Sequence, residues 1–121
     1  MEFKKLMSFT ILHNPRCSKS RKTLSLLQNN GIDPEIRLYL IDPLSSLELK
    51  EIIDKLNINI RELIRKGEEI YKKLNLNDQS LNSEQLLNII SENPILIERP
   101  IVISGDKAII GRPPENVLGI I

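Results

Sequence analysis

Between Phe9 and Leu40 the chain reads as strand, helix and strand, an order that restricts the fold more than any other stretch. The apolar run Phe9-Thr10-Ile11-Leu12 marks a first strand over residues 8 to 13. A helical pattern begins near Ser18, places Leu24, Leu27 and Gln28 on neighbouring turns, and stops at Asn29-Asn30-Gly31, an Asn/Gly end signal. Asp33-Pro34 makes the turn. Glu35-Ile36-Arg37-Leu38-Tyr39-Leu40 then alternates polar and apolar residues like a half-buried strand, and Asp42-Pro43 ends it. Such a βαβ unit is right-handed with parallel strands, and open α/β sheets place ligands at the carboxyl ends of their strands.

The turn at that carboxyl end, His13-Asn14-Pro15-Arg16-Cys17-Ser18-Lys19-Ser20-Arg21, holds the single cysteine and the single histidine of the chain. Cys17 falls at a helix N-terminus, where unpaired backbone N–H groups and the positive end of the helix dipole favour an anion such as a thiolate. Arg16, Lys19, Arg21 and Lys22 crowd the same turn with positive charge. A lone cysteine is also commonly a small buried hydrophobe, but Ser, Lys, Ser and Arg do not build a core around one. His13 carries the one side chain here that titrates near neutrality, so in its protonated form it is a candidate to stabilise the thiolate; at a strand end it equally serves as a plain hydrogen-bond partner.

Residues 45 to 92 read as a helical insertion. Ser45-Ser46-Leu47-Glu48 forms a capping-box pattern ahead of a helix with Leu49, Ile52, Ile53 and Leu56 on one face. Short helices are expected over Ile60 to Lys66, closed by Gly67, and over Glu68 to Leu74. After a polar break at 75 to 80, in which Asn77-Asp78-Gln79-Ser80 is the best candidate for a mobile connector, a fourth starts at Asn82 or Ser83. Pro100 to Ser104 and Lys107 to Ile110 flank a two-residue Gly105-Asp106 hairpin, and Pro113 or Pro114 suits the first turn of a closing helix ending at Ile121. This order is that of the thioredoxin and glutaredoxin architecture, an α/β fold with a four-stranded mixed sheet and a helical insertion between strands 2 and 3, although chain order alone permits other α/β sheets.

With 121 residues the chain suits one domain, 1–121, and neither side of the break at 77 to 80 holds enough apolar surface for a second. Met1 to Ser8 carries two lysines but no apolar segment after it, so residues 1–7 read as a short tail rather than a secretory signal, with Met7 an alternative start. Seventeen basic against sixteen acidic residues argue against general nucleic-acid binding, and no apolar run is long enough for a membrane. One cysteine makes no internal disulfide and suits a reducing cytoplasm. One His and one Cys offer no metal site.

Four segments carry a resemblance. His13-Asn14-Pro15-x-Cys17-Ser18-x-Ser20-Arg21, Leu63-Ile64-Arg65-Lys66, Asn93 to Val102 (NPILIERPIV) and Gly111-Arg112-Pro113 resemble, in order and in spacing, the glutaredoxin-coupled arsenate reductases, over nearly the whole chain from about Thr10. The resemblance implies that Cys17 is the nucleophile, that Arg65, Arg99 and Arg112 bind the oxyanion, that His13 helps to depress the thiol pKa, that Ser20 lies near the thiolate, and that Pro100 follows a cis peptide bond beside the thiol. Asn14 and Pro100 stand as structural neighbours. It further implies reduction of arsenate to arsenite through a thiol–arsenate adduct on Cys17, with glutathione as co-substrate, glutaredoxin as partner and no bound cofactor.

Each arginine also has a plainer reading. Arg65 suits the end of a short helix without any ligand, Arg99 can pair with Glu98, and Arg112 before two prolines can be solvated. Among other functions, phosphatase-like arsenate reductases need Cys-x5-Arg and further cysteines, but the sixth residue after Cys17 is Thr23. Two alternatives stay open: an Spx-like, non-enzymatic regulator that binds RNA polymerase, although Ser20 replaces the second cysteine of its switch, and a thiol oxidoreductase of the same fold with another substrate. Arg16 adds charge that bears on substrate preference and thiol pKa.

Overall fold

The computed structural model describes residues 8–121; the tail read over residues 1–7 lies outside the described residues. The elements are β1 (Phe9–Leu12), α1 (Ser18–Asn29), β2 (Glu35–Arg37), α2 (Ser46–Leu56), α3 (Ile60–Leu63), α4 (Glu69–Lys73), α5 (Ser83–Glu92), β3 (Ile101–Ser104) and β4 (Lys107–Ile110). Two 3₁₀ turns, Pro94–Leu96 and Pro114–Gly119, complete the chain. It divides into two compact units: the N-terminal part up to Asp42 with Arg99–Ile121, and Pro43–Glu98.

The first unit contains the expected mixed sheet in the order β2-β1-β3-β4, with β1 and β2 parallel and the other pairs antiparallel. In β1 and β3 the adjacent residues Ile11, Leu12, Ile101 and Val102 are all buried, so both faces of the central strands are covered and a continuous apolar run is required there. Ile11 pairs with Val102 and packs with Leu27 of α1 and with Val117 and Ile120 at the C-terminus. Burial of one such side chain contributes about 1.5–3 kcal/mol.

The strand expected over Glu35 to Leu40 is only three residues long, and its apolar set faces outward: Ile36 is 46% exposed and Leu40 41%, while Tyr39 is buried. The alternation fails because the chain leaves the sheet after Arg37. The Ile41 and Asp42 N–H groups donate to the Leu38 carbonyl, and Arg37 Nε donates to the Asp42 carbonyl at 3.1 Å. The closing segment is 3₁₀ rather than α, in keeping with a run too short to repay helix nucleation. Gly105 has φ +60°, as the tight hairpin between β3 and β4 demands.

In the second unit, the capping box at Ser45 and Glu48 is formed in both directions, and a matching one joins Asn82 and Gln85 at the start of α5. Leu49 and Ile52 of α2 and Leu86 and Ile90 of α5 are buried, and Ser46 Oγ donates to Asn88 Oδ1 between the two helices. The helix expected over Ile60 to Lys66 stops at Leu63, because Ile64 turns extended and bridges Ile97. The polar break is tied down by Arg61, whose Nη1 donates to the Leu76 carbonyl and whose Nη2 donates to that of Asp78, each at 2.8 Å.

Gly111 follows β4 and leaves no room for a side chain: a Cβ there would lie 2.6 Å from Thr23 Oγ1 and 3.0 Å from Pro100 Cγ. Thr23 is fully buried on α1 with its hydroxyl donated to the Lys19 carbonyl, so the obstacle does not swing away. Gly111→Ala is therefore expected to lower stability by about 1–3 kcal/mol; urea unfolding that superimposes on the wild type would show that α1 and β4 are not held at this distance.

Candidate active site

Three strand ends meet at one edge of the sheet. In the register, Leu12 pairs with Ile101 and Ile101 with Ile110, so the turn after β1, the residues before β3 and the residues after β4 emerge together. They deliver, respectively, His13 to Cys17, Arg99-Pro100 and Gly111-Arg112. The Gly111 N–H donates to the Pro100 carbonyl at 2.9 Å and Arg112 Nη1 donates to the Arg99 carbonyl at 3.3 Å, which joins the last two segments. The Arg99–Pro100 bond is cis, as the resemblance implies, and Arg112–Pro113 is cis as well.

Cys17 is the N-cap of α1, with extended backbone, and is partly exposed. Its own N–H donates to the Asn14 carbonyl at 2.9 Å, closing the turn, and Asn14 Oδ1 accepts from the Arg16 N–H. Burial alone would push the thiol pKa up. Against it act the backbone N–H of Ser20, the charge of Arg99, the N–H of Lys19 and the Arg99 side-chain N–H, and together they hold the thiol below its ordinary value. The helix N–H groups act as directed dipoles without closing a full cap hydrogen bond to Sγ.

Arg99 is half-buried, and its Nε and Nη1 are shielded from solvent without a hydrogen-bond partner among the described residues. Buried donors on a permanent cation are costly to leave unmatched, and an anion beside the sulfur is the acceptor that matches them.

His13 and Ser20 are both buried, with Nδ1 and Oγ 2.7 Å apart, and the Asn14 N–H donates to the same Oγ at 3.1 Å. Burial pushes the His13 pKa down, and the charge of Arg21 adds to that. The ring is thus neutral at pH 7, and the cation that acts on the sulfur is Arg99 rather than a protonated histidine. His13 fixes Ser20, the residue whose backbone N–H points at Cys17.

Arg65 lies in the second unit. Its Nη1 is 3.3 Å from Glu68 Oε2 and its Nε 3.8 Å from Glu98 Oε1, an arrangement built by the Ile64–Ile97 bridge, in which the Arg65 N–H donates to the Leu96 carbonyl. Glu98 thus has Arg65 as a partner, where the sequence suggested Arg99. The Glu at the third position after Arg65 was the available signal for the other pair. Sequence reasoning did not foresee the contact of Thr23 with Gly111, which holds the Arg112 segment against α1, nor the bond that the Arg21 guanidinium donates to the Pro15 carbonyl at 2.8 Å. Among the described residues no cluster of His, Cys, Asp and Glu is placed to hold a metal ion, and no helix is long and apolar enough to cross a membrane.

A family model described as the ArsC family matches residues 12–120. The chain is 55% identical to an arsenate reductase of Haemophilus influenzae, with 95% of this chain and all of that one aligned. It is 53% identical to the uncharacterized protein YfgD of Escherichia coli, over 92% and 94% of the two chains. Among solved structures, an arsenate reductase from Vibrio cholerae superimposes with a TM-score of 0.93 at 49% identity, covering 95% of this chain and 98% of that one.

The folded-state pKa of His13 lies below its ordinary 6.5, so the unfolded chain binds the proton more readily. The stability held by the neutral ring is complete above pH 6.5 and falls as pH drops below it. Urea midpoints measured between pH 7.5 and 5.5 are expected to decline in the wild type and to decline less in His13→Gln; equal slopes would show that folding does not lower the His13 pKa.

Proposed function

Because this chain belongs to the ArsC family over residues 12–120, we propose that it is an arsenate reductase in which Cys17 is the nucleophile and Arg99, Arg112 and Arg65 receive the oxyanion. The observation that carries the reading is the Arg99 guanidinium, with two shielded and unmatched nitrogens, set against a thiol of lowered pKa. Arsenate is a tetrahedral oxyanion with phosphate-like charge, and guanidinium groups bind such oxygens through charge-assisted hydrogen bonds. Arg112, joined to the Arg99 carbonyl, brings a second cation to the same edge. Arg65, oriented by Glu68 and Glu98, is the third in this reading.

The Cys17 thiolate attacks arsenic. A sulfur–arsenic bond forms as an arsenic–oxygen bond breaks, the oxygen leaves as water with protons taken from solution, and arsenic stays pentavalent. The arginines hold the charge of the adduct. Reduction then needs two electrons, and a chain with one cysteine cannot supply them through an internal disulfide. Glutathione bonds to arsenic with loss of a second water, and a glutaredoxin thiol attacks the glutathione sulfur. The electron pair passes to arsenic, and glutathione and glutaredoxin leave joined as a mixed disulfide; water then displaces the Cys17 sulfur from trivalent arsenic, which releases arsenite and frees the thiol. A reducing cytoplasm supplies both thiols, and the chain itself holds no cofactor.

Purified protein given arsenate, glutathione and glutaredoxin is expected to produce arsenite, and Cys17→Ser to abolish this with an unchanged circular dichroism spectrum. Arg99→Ala is expected to raise the arsenate KM by about tenfold or more, the equivalent of one lost charge-assisted bond. Turnover in Cys17→Ser, or an unaltered arsenate dependence in Arg99→Ala, would remove the residue concerned from the mechanism.

A further inference from the structure

β2 is an edge strand of the sheet. Arg37 is the register partner of Leu12, and its carbonyl accepts the His13 N–H at 2.9 Å, so the backbone N–H and C=O of Arg37 face β1, as by alternation do those of Glu35. The N–H and C=O of Ile36 between them point away from the sheet, and among the described residues no group meets them. Ile36, Leu38, Leu40 and Ile41 are exposed aliphatic side chains within six residues of this edge. An exposed apolar edge is a template for a further strand. We propose that it pairs with the same edge of a second copy of this chain, antiparallel and two-fold about Ile36, so that two four-stranded sheets join into one of eight strands.

The order of charges selects the occupant. In that register Ile36 exchanges both backbone hydrogen bonds with the partner's Ile36, while Glu35 stands opposite the partner's Arg37 and Arg37 opposite the partner's Glu35. Glu35-Ile36-Arg37 is thus its own complement and makes two cross-strand pairs of opposite charge. A slip of two residues either way opposes Glu35 or Arg37 to itself, so the same charges fix the register. The Glu35 carboxylate is exposed and has no hydrogen-bond or ion-pair partner among the described residues. Arg37 Nε lies 3.4 Å from Asp42 Oδ2, and the five N–H donors of a guanidinium let it serve a second carboxylate. Pairing ends one row beyond Ile36 on each side, because Pro34 has no N–H and the Leu38 carbonyl is taken by the Ile41 and Asp42 N–H groups. With so short a ladder, Leu38, Leu40 and Ile41 supply the apolar part of a weak interface. Since β2 runs parallel to β1, the two Cys17 turns fall at opposite ends of the joined sheet, clear of the contact.

Analytical ultracentrifugation of the full chain in reducing buffer tests this. A monomer–dimer equilibrium is expected between about 1 µM and 1 mM protein. Ile36→Lys sets a charge against its own copy at the two-fold axis and is expected to weaken association about tenfold or more, as are Glu35→Arg and Arg37→Glu singly. An equimolar mixture of the Glu35→Arg and Arg37→Glu chains is expected to recover dimers, because each chain then meets opposite charge at both pairs. A monomer throughout the range, a dimer that Ile36→Lys leaves intact, or a mixture no better associated than its components would overturn the proposal. Should Arg37→Glu lose its fold with the Asp42 contact, Ile36→Lys, a change to an exposed side chain, decides alone.

Discussion

A thiolate at the head of a helix must be compensated against its own burial, because desolvation returns the proton to sulfur. Here the compensation comes from two sources: the N–H groups of Ser20 and Lys19, fixed by α1, and the guanidinium of Arg99, fixed by the chain entering β3. The first is local and follows from Cys17 being the N-cap. The second needs the whole sheet, since residues 17 and 99 meet only if β1 and β3 pair in the observed register.

That dependence explains the composition of the strands. Ile11, Leu12, Ile101 and Val102 are buried on both faces, which makes the two central strands the rigid floor of the site. The charged groups then sit on the turns beyond the last paired row, Leu12, Ile101 and Ile110, where backbone leaves the sheet and side chains converge. Gly111 permits the closest approach, against Thr23 and Pro100. The buried His13–Ser20 pair holds the other side of the turn, and its neutrality leaves the positive charge at the sulfur to arginine.

Local order was legible in the sequence wherever a short-range signal dictated it. The strand-turn-helix around Cys17, the capping box at Ser45, the Asn82 cap and the Gly105 hairpin all follow from neighbouring residues. Outcomes set by tertiary contacts were not legible. Ile64 leaves its helix to pair with Ile97, and Glu35 to Leu40 shows a period of two, yet the chain turns away after Arg37. In the site, Cys17 and His13 announced themselves by type and position, whereas Ser20 was indicated by family resemblance. Arg99 and Arg112 were indicated by family resemblance, because nothing in a lone arginine distinguishes a solvated side chain from one whose nitrogens are shielded beside a sulfur. The roles within the site were harder still, since the burial that neutralises His13 and the carboxylates that hold Arg65 are properties of the folded chain.

The central claim is that Arg99 and the first turn of α1 lower the pKa of Cys17 and so favour its thiolate. The rate of Cys17 alkylation by iodoacetamide as a function of pH measures this directly. The account predicts a midpoint below the ordinary thiol value of 9.0 and an upward displacement in Arg99→Met, which keeps the bulk and removes the charge. A wild-type midpoint at or above 9.0, or one that Arg99→Met leaves in place, would contradict it.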